Sequence, residues 1–315
     1  MSGLTAVVTG ASAGIGLQTA LQLCDREEYD TVIFAVRNKE KALRAIPAEA
    51  MSKAVVMVVD LASLESVESF AAGLKQVGPI HRLVLNAGIS DYTTKGSRKT
   101  RDGLDEIWQV NFLAHFYLTL LVKPILAPGA RIVALTSFMH WVGDVNRFVD
   151  LVREPSNERA YMSYYSDSKL AMAIFASELN RRSFPLALAV NPGAVFSDIF
   201  QSWFFGWIGQ LLRFLFGVLF LATSDGAKTS VLACTSSKLS SFTYLSPYGQ
   251  IRGWGKLVAR MTDMYWFYAV KDDARMIGEC SEAVECKSNG ELLWSLATEA
   301  LGKTDPRRKL VIEQL

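Results

Sequence analysis

Residues 4–16 read LTAVVTGASAGIG. Leu4 to Thr9 is a short run of apolar and β-branched residues, the signature of a buried strand, and it leads directly into Gly10. ASAGIGLQTALQLC, residues 11–24, then reads as a helix with Ile15, Leu17, Ala20, Leu21 and Leu23 available for its buried side. Gly10, Gly14 and Gly16 therefore lie between a strand and a helix, the context a dinucleotide-binding loop requires. The first glycine permits the tight turn, the second lets backbone approach a pyrophosphate, and the third allows close helix–strand packing. The N–H groups of the helix N-terminus would receive the phosphate.

Outward from this stretch, strand-like runs recur at 4–9, 31–36, 54–59, 81–86, 130–136, 186–191 and 242–245, with helical patterns between them. That alternation predicts an α/β fold, a doubly wound parallel sheet covered on both faces. The 315 residues could hold two domains on length alone, but no Pro/Ser/Gly-rich linker interrupts the pattern. One domain over 1–315 is expected: a cofactor-binding and catalytic core at 1–197, a hydrophobic lid at 198–238, and a last strand with a C-terminal segment at 239–315.

The second strand, TVIFAV, ends at Val36 and is followed by Arg37. An NAD site usually places a carboxylate here for the ribose 2′-hydroxyl, whereas an arginine suits a 2′-phosphate, so NADP(H) is the expected cofactor. Ala13 supplies no second basic group. Further along, Tyr165 and Lys169 stand four residues apart in YSDSK, on one face of a helix. An ammonium about 4 Å from a phenol favours the phenolate by about 4 kcal/mol at an effective dielectric of roughly 20. By that estimate the tyrosine pKa falls about three units toward neutrality, where general acid–base catalysis is efficient.

Taken in order, TGASAGIG, Asp60-Leu61, Asn86-Ala87-Gly88, Asn111, Ser137, the Tyr165/Lys169 pair and Pro192-Gly193 resemble the short-chain dehydrogenase/reductase family over residues 4–197, and more loosely beyond. VRNKEKA, VNFLAHFYLT and SYYSDSKLAMAIFASEL are similar to the retinol dehydrogenase and protochlorophyllide reductase branch. The resemblance implies a Rossmann fold and assigns roles. Ser137 would bond the substrate oxygen, Tyr165 exchange the proton, and Lys169 lower the tyrosine pKa and hold the nicotinamide ribose. Asn111 would kink its helix and hold a water linking Lys169 to solvent. Asp60 and Leu61 would flank the adenine, and Asn86, Ala87 and Gly88 would line the ribose. Ser12 and Ile15 in the glycine-rich loop, with Pro192, Gly193, Val195 and Ser197 after the sixth strand, would complete the cofactor contacts. Thr136 is the alternative to Ser137 if the register shifts by one, and Tyr161 and Tyr164 are expected to pack rather than react. Ser137 and Tyr165 are 28 positions apart, and the long connection predicts a substrate-entrance segment.

Composition excludes other classes. A net charge of +2 argues against nucleic acid, even with four cations at 95–101. The cysteines at 24, 234, 280 and 286 lack CxxC spacing and read as reduced thiols. The three histidines form no ligand cluster at metal spacing, so no metal site is expected. His115 and His140 are read as packing or backbone-bonding residues. No signal peptide is expected ahead of the first strand.

Residues 203–222, WFFGWIGQLLRFLFGVLFLA, carry one charge, Arg213. As a helix they could span a bilayer, but a central arginine costs about 2.5–3.5 kcal/mol on insertion scales, and the sheet resumes afterwards. The expectation is a lid whose apolar wall meets a membrane surface, a lipophilic substrate or a second copy of the chain in a homodimer, on the cytoplasmic face of an intracellular membrane. A core helix covered by the C-terminal segment is the alternative. The leading functional reading is an NADPH-dependent oxidoreductase of lipophilic carbonyls or alcohols. A non-catalytic NADP(H)-binding interaction protein would be expected to have lost Ser137, Tyr165 or Lys169. A protochlorophyllide reductase-type C=C reductase resembles the chain in scaffold, but no cysteine lies between Ser137 and Ser197.

Overall fold

The structure is a computed structural model and describes residues 3–90, 98–153, 161–193, 195, 221–247 and 277–313. Eight strands form one sheet in the order β3-β2-β1-β4-β5-β6-β7-β8. They are β1 (Leu4–Thr9), β2 (Tyr29–Val36), β3 (Ala54–Val58), β4 (Ile80–Leu85), β5 (Leu126–Leu135), β6 (Leu186–Val190), β7 (Tyr244–Leu245) and β8 (Ile277–Gly278). All neighbours pair in parallel except β7 and β8, which are antiparallel. The sequence reading lacks β8 and starts β7 two residues early. A two-residue strand has no periodicity to read, and its pairing depends on a partner more than thirty residues away.

The central strands are nearly unbroken apolar runs because each of their faces is covered. Successive residues go to opposite faces. Val7, Ile33, Leu83, Leu85, Ile132 and Ala134 join one buried cluster, and Ala6, Val8, Val32, Phe34, Val84, Val133 and Leu135 join the other. The first cluster is closed by α3 (Leu64–Val77), α5 (Ala114–Val122), α7 (Tyr161–Arg181) and the helix Lys287–Thr304. The second is closed by α1 (Gly14–Cys24), α2 (Lys39–Ala45) and the helix Thr223–Thr235.

This order puts a topological switch between β1 and β4, where crossovers leave in opposite directions and a crevice opens beyond the carboxyl ends of the strands. α4 (Glu106–Trp108) meets α5 through a π-helical turn, Gln109–Leu113, centred on Asn111. There the Ala114 N–H bonds the Gln109 carbonyl, five residues back. An aromatic stack secures that bulge against α7. Trp108 meets Phe112 at 4.7 Å and Phe148 at 5.2 Å between centroids, and Phe112 meets Phe175 edge-on at 6.0 Å. Such pairs add about 0.5–1.5 kcal/mol each beyond their area burial. The helix carrying Asn111 is thereby held against the helix carrying Tyr165 and Lys169.

Candidate active site

A cavity of about 430 Å³ occupies the crevice at the switch point. The glycine-rich turn forms its floor. Gly10 has φ +71°, and a Cβ on Gly16 would meet the Gly10 carbonyl oxygen at 2.5 Å, so the turn and the helix start can be this close only without side chains. At Gly14 a Cβ would meet nothing within 4 Å. No side chain caps α1 and no acidic residue lies in its first turn, whereas Asn38 caps α2 and Ser63 caps α3. The first-turn N–H groups of α1 are thus left to a ligand, and a phosphate fits them. The residues present suit a dinucleotide.

Of the residues expected to bind cofactor, Gly10, Ser12, Gly14, Ile15, Gly16, Arg37, Asp60, Leu61, Asn86, Ala87, Gly88, Pro192, Gly193 and Val195 all line this cavity. Ser197 lies outside the described residues, as does the apolar stretch 203–220. Three polar residues given no role from the sequence, Asn38, Lys41 and Glu106, also line it. The Asn38 side chain accepts the Lys41 N–H at 2.8 Å and starts α2 there, which places Lys41 one helical turn beyond Arg37. The RNKEK spacing carried that signal.

Ser137, Tyr165 and Lys169 line the other end of the same cavity. Tyr165 and Lys169 are 8% and 3% exposed, and the Lys169 Nζ stands 5.6 Å from the centroid of the Tyr165 ring. The ammonium donates to the Leu135 carbonyl at 3.2 Å, and burial lowers its pKa from the ordinary lysine range to about 8. Among the described residues no carboxylate offsets that burial cost. A buried cation without a counter-ion in a cleft marks a functional site. Thr136 follows Leu135 and donates its hydroxyl to the Lys169 carbonyl at 2.7 Å. Both residues line the cavity, but that commitment favours Ser137, whose hydroxyl, among the described residues, accepts the long bond from the Met139 N–H at 3.3 Å.

Asn111 does not line the cavity directly. Its side-chain oxygen accepts the Ile89 N–H at 2.7 Å, and its amide donates to the Ile89 carbonyl and the Ser168 hydroxyl, each at 3.0 Å. Ser168 in turn donates to the Tyr165 carbonyl at 2.7 Å. A Cβ on Gly88 would stand 3.3 Å from the Lys169 Nζ and 3.4 Å from the Asn111 Oδ1, so Gly88 is where the two polar groups converge. Tyr164 is buried in the core, as expected of a packing residue. His140 orders the turn after Ser137. Its Nδ1 lies 2.7 Å from the Ser137 carbonyl, so it carries the proton, and its Nε2 accepts the Ser281 N–H at 3.3 Å. Burial lowers its pKa to about 4, and the ring is neutral at physiological pH. The generic expectation of a backbone bond is met, but its link to Ser281 was not visible in the sequence. The four cysteines are free thiols.

Fold and site together define an α/β oxidoreductase with a dinucleotide cleft and a Tyr-x-x-x-Lys pair. The family model for short chain dehydrogenases matches residues 4–147. The chain is 36% identical over 257 residues to the polyprenol dehydrogenase of Mus musculus, covering 75% of this chain and 73% of that protein. It belongs to the short-chain dehydrogenase/reductase family, whose members use nicotinamide cofactors. It is also 36% identical over 257 residues to the WW domain-containing oxidoreductase of Gallus gallus, covering 76% of this chain but spanning only 60% of that relative's length. Among solved structures, a putative uncharacterised protein from Mycobacterium paratuberculosis aligns with a TM-score of 0.66 at 27% identity, over 94% of this chain and 92% of that one.

Proposed function

We propose that the protein is an NADP(H)-dependent oxidoreductase that interconverts a lipophilic carbonyl and its alcohol. The observation that carries the reading is the buried, uncompensated Lys169 beside Tyr165, at the end of a cleft whose far end presents Arg37 and Lys41. The bound nicotinamide supplies or accepts the hydride. Tyr165 gives its phenolic proton to the carbonyl oxygen in reduction and takes it back in oxidation, while Ser137 holds that oxygen by a hydrogen bond. Lys169 keeps positive charge next to the phenol below about pH 8 and has N–H groups beyond the one given to Leu135 for the ribose hydroxyls. Asn111 orders the turn that Ser168 and Tyr165 share. Turnover of a panel of lipophilic aldehydes, ketones and alcohols, with NADPH or NADP⁺ against NADH or NAD⁺, tests the reading. Absence of turnover across the panel would remove it.

Two cations at the adenosine end favour a 2′-phosphate. Arg37→Ala and Lys41→Ala should each weaken NADPH binding by roughly 1.5–3 kcal/mol, the range of a charge-assisted hydrogen bond, and leave NADH binding nearly unchanged. Because the two act on one group, the double variant should lose less than the sum. A wild-type preference for NADH in a binding titration would overturn the assignment.

The similarity to a polyprenol dehydrogenase supports a long apolar substrate, and residues 203–222 supply an apolar wall in sequence. Among the described residues no helix is long and apolar enough to cross a membrane. On this reading the chain works as one domain on a membrane face, in contact with the cytoplasm, with the lid region touching lipid. Replacing Trp203, Phe204 and Trp207 with Ser should release the protein from sedimenting liposomes with little change in melting temperature. A large fall in melting temperature with lipid binding intact would assign the wall to the core instead.

A further inference from the structure

His115 stands on α5, one turn after Asn111, and its ring is wholly buried. Its Nδ1 lies 3.1 Å from the Asn111 carbonyl oxygen and its Nε2 lies 2.9 Å from the Thr9 hydroxyl. A carbonyl oxygen can only accept, so Nδ1 carries the proton. Burial lowers the ring's pKa to about 4, which leaves it neutral with a lone pair on Nε2. The Thr9 hydroxyl must then donate to Nε2. The same oxygen accepts the N–H groups of Asn86 at 2.9 Å and Ala87 at 3.0 Å, and the Asn86 amide donates to the Thr9 carbonyl at 2.7 Å. Without His115, the hydroxyl's other acceptor is the Val84 carbonyl, at a long 3.4 Å.

These directions form one unbroken run. The N–H groups of Asn86 and Ala87 donate to Thr9, Thr9 donates to His115, and His115 donates to the Asn111 carbonyl. Asn111 then reaches Tyr165 through Ser168. One end is the Asn86–Gly88 loop that lines the cavity and the other is the turn bearing the phenol. A neutral imidazole suits this position because it offers one donor and one acceptor on opposite sides of a rigid ring, with no charge to bury.

We propose that His115 is a positioning residue that sets the spacing between the cofactor-side loop Asn86–Gly88 and the Asn111–Tyr165 side of the site. It acts by holding the Thr9 hydroxyl with one nitrogen and the Asn111 carbonyl with the other. The inference rests on reading the cavity as an NADP(H)-dependent oxidoreductase site.

A core residue of aromatic shape would be replaced well by phenylalanine, whereas a positioning residue would not. His115→Phe should weaken NADPH binding and lower kcat, each by about 10-fold, as expected for a buried partner left unbonded. His115→Gln, which can present an acceptor to Thr9, should restore NADPH affinity to within about 3-fold while kcat stays low. In NADPH titrations, Thr9→Val combined with His115→Phe should lose less than the two single losses combined. With only three histidines in the chain, ¹⁵N-histidine NMR of the wild type reads the tautomer directly, and His115 should be neutral with its proton on Nδ1 from pH 8 to 5. A proton on Nε2, or a His115→Phe variant with wild-type NADPH affinity and kcat, would overturn the proposal. A wild type that binds no NADPH would remove the underlying functional reading, while the tautomer measurement would still decide the hydrogen-bond run.

Discussion

Tyr165→Phe should lower kcat by about 10²–10⁴-fold, the usual worth of a positioned general acid or base, while NADPH binds almost as in wild type. The phenol lies at the substrate end of the cavity, and its backbone is held independently of the hydroxyl, with its carbonyl taken by Ser168 and α7 packed beneath it. Removing one oxygen therefore leaves the helix in place and takes away only the proton. Single-turnover mixing with bound NADPH separates this from a binding defect. Equal turnover in the variant and the wild type would sink the assignment of Tyr165 as proton donor.

Lys169→Met should have effects of opposite sign on activity and stability. Turnover should fall at least as far as in Tyr165→Phe, because the phenol loses its neighbouring charge and the ribose its donors. The cofactor-free fold should become more stable. The ammonium is buried with its pKa near 8 against an ordinary 10.5, which corresponds to roughly 3 kcal/mol of penalty at neutral pH. Methionine has a similar unbranched shape and no charge. Setting the lost bond to Leu135 against that penalty leaves a gain of about 2 kcal/mol, or several degrees in melting temperature. The pH dependence has a definite sign. Below about pH 8 the wild type carries the whole penalty, and between about 8 and 10.5 its folded form releases the proton before the unfolded chain does. Wild-type stability from this group therefore rises with pH across that window, and the variant should lack the rise. A variant that melts lower than wild type at pH 7 would show that the buried charge is compensated.

What could be read from the sequence was what repeats locally or sits at short spacing. Leu4 to Gly16 announces strand, turn and helix in consecutive residues, and Tyr165 and Lys169 share a helix face by their spacing alone. The parallel strands were legible because each is a compact apolar run. Features set by distant partners were not. β8 is two residues long and pairs only because the chain returns to β7. His115 bonds a threonine 106 positions earlier, and His140 meets Ser281 from 141 positions away. Lys41 was within reach of sequence reasoning, since Asn38 is a typical N-cap and fixes where the next helix begins. The choice between Ser137 and Thr136 needed the fold: both line the cavity, but the Thr136 hydroxyl is given to the Lys169 carbonyl on α7.

The helix Lys287–Thr304 covers the outer face of α7, where Trp294 meets Phe116 at 4.9 Å and Phe175 at 6.5 Å and where Leu293, Leu296, Ala297 and Leu301 are buried. About a hundred residues of chain separate the two helices, which is roughly 5–20 s of translation at common elongation rates. During that interval the nascent protein can already pair its first six strands, but the aromatic face of Phe116 and Phe175 still lacks its Trp294 cover. Chaperone capture should concentrate in this window, and a premature stop codon before residue 287 should yield a chain that is degraded rather than one that is merely inactive.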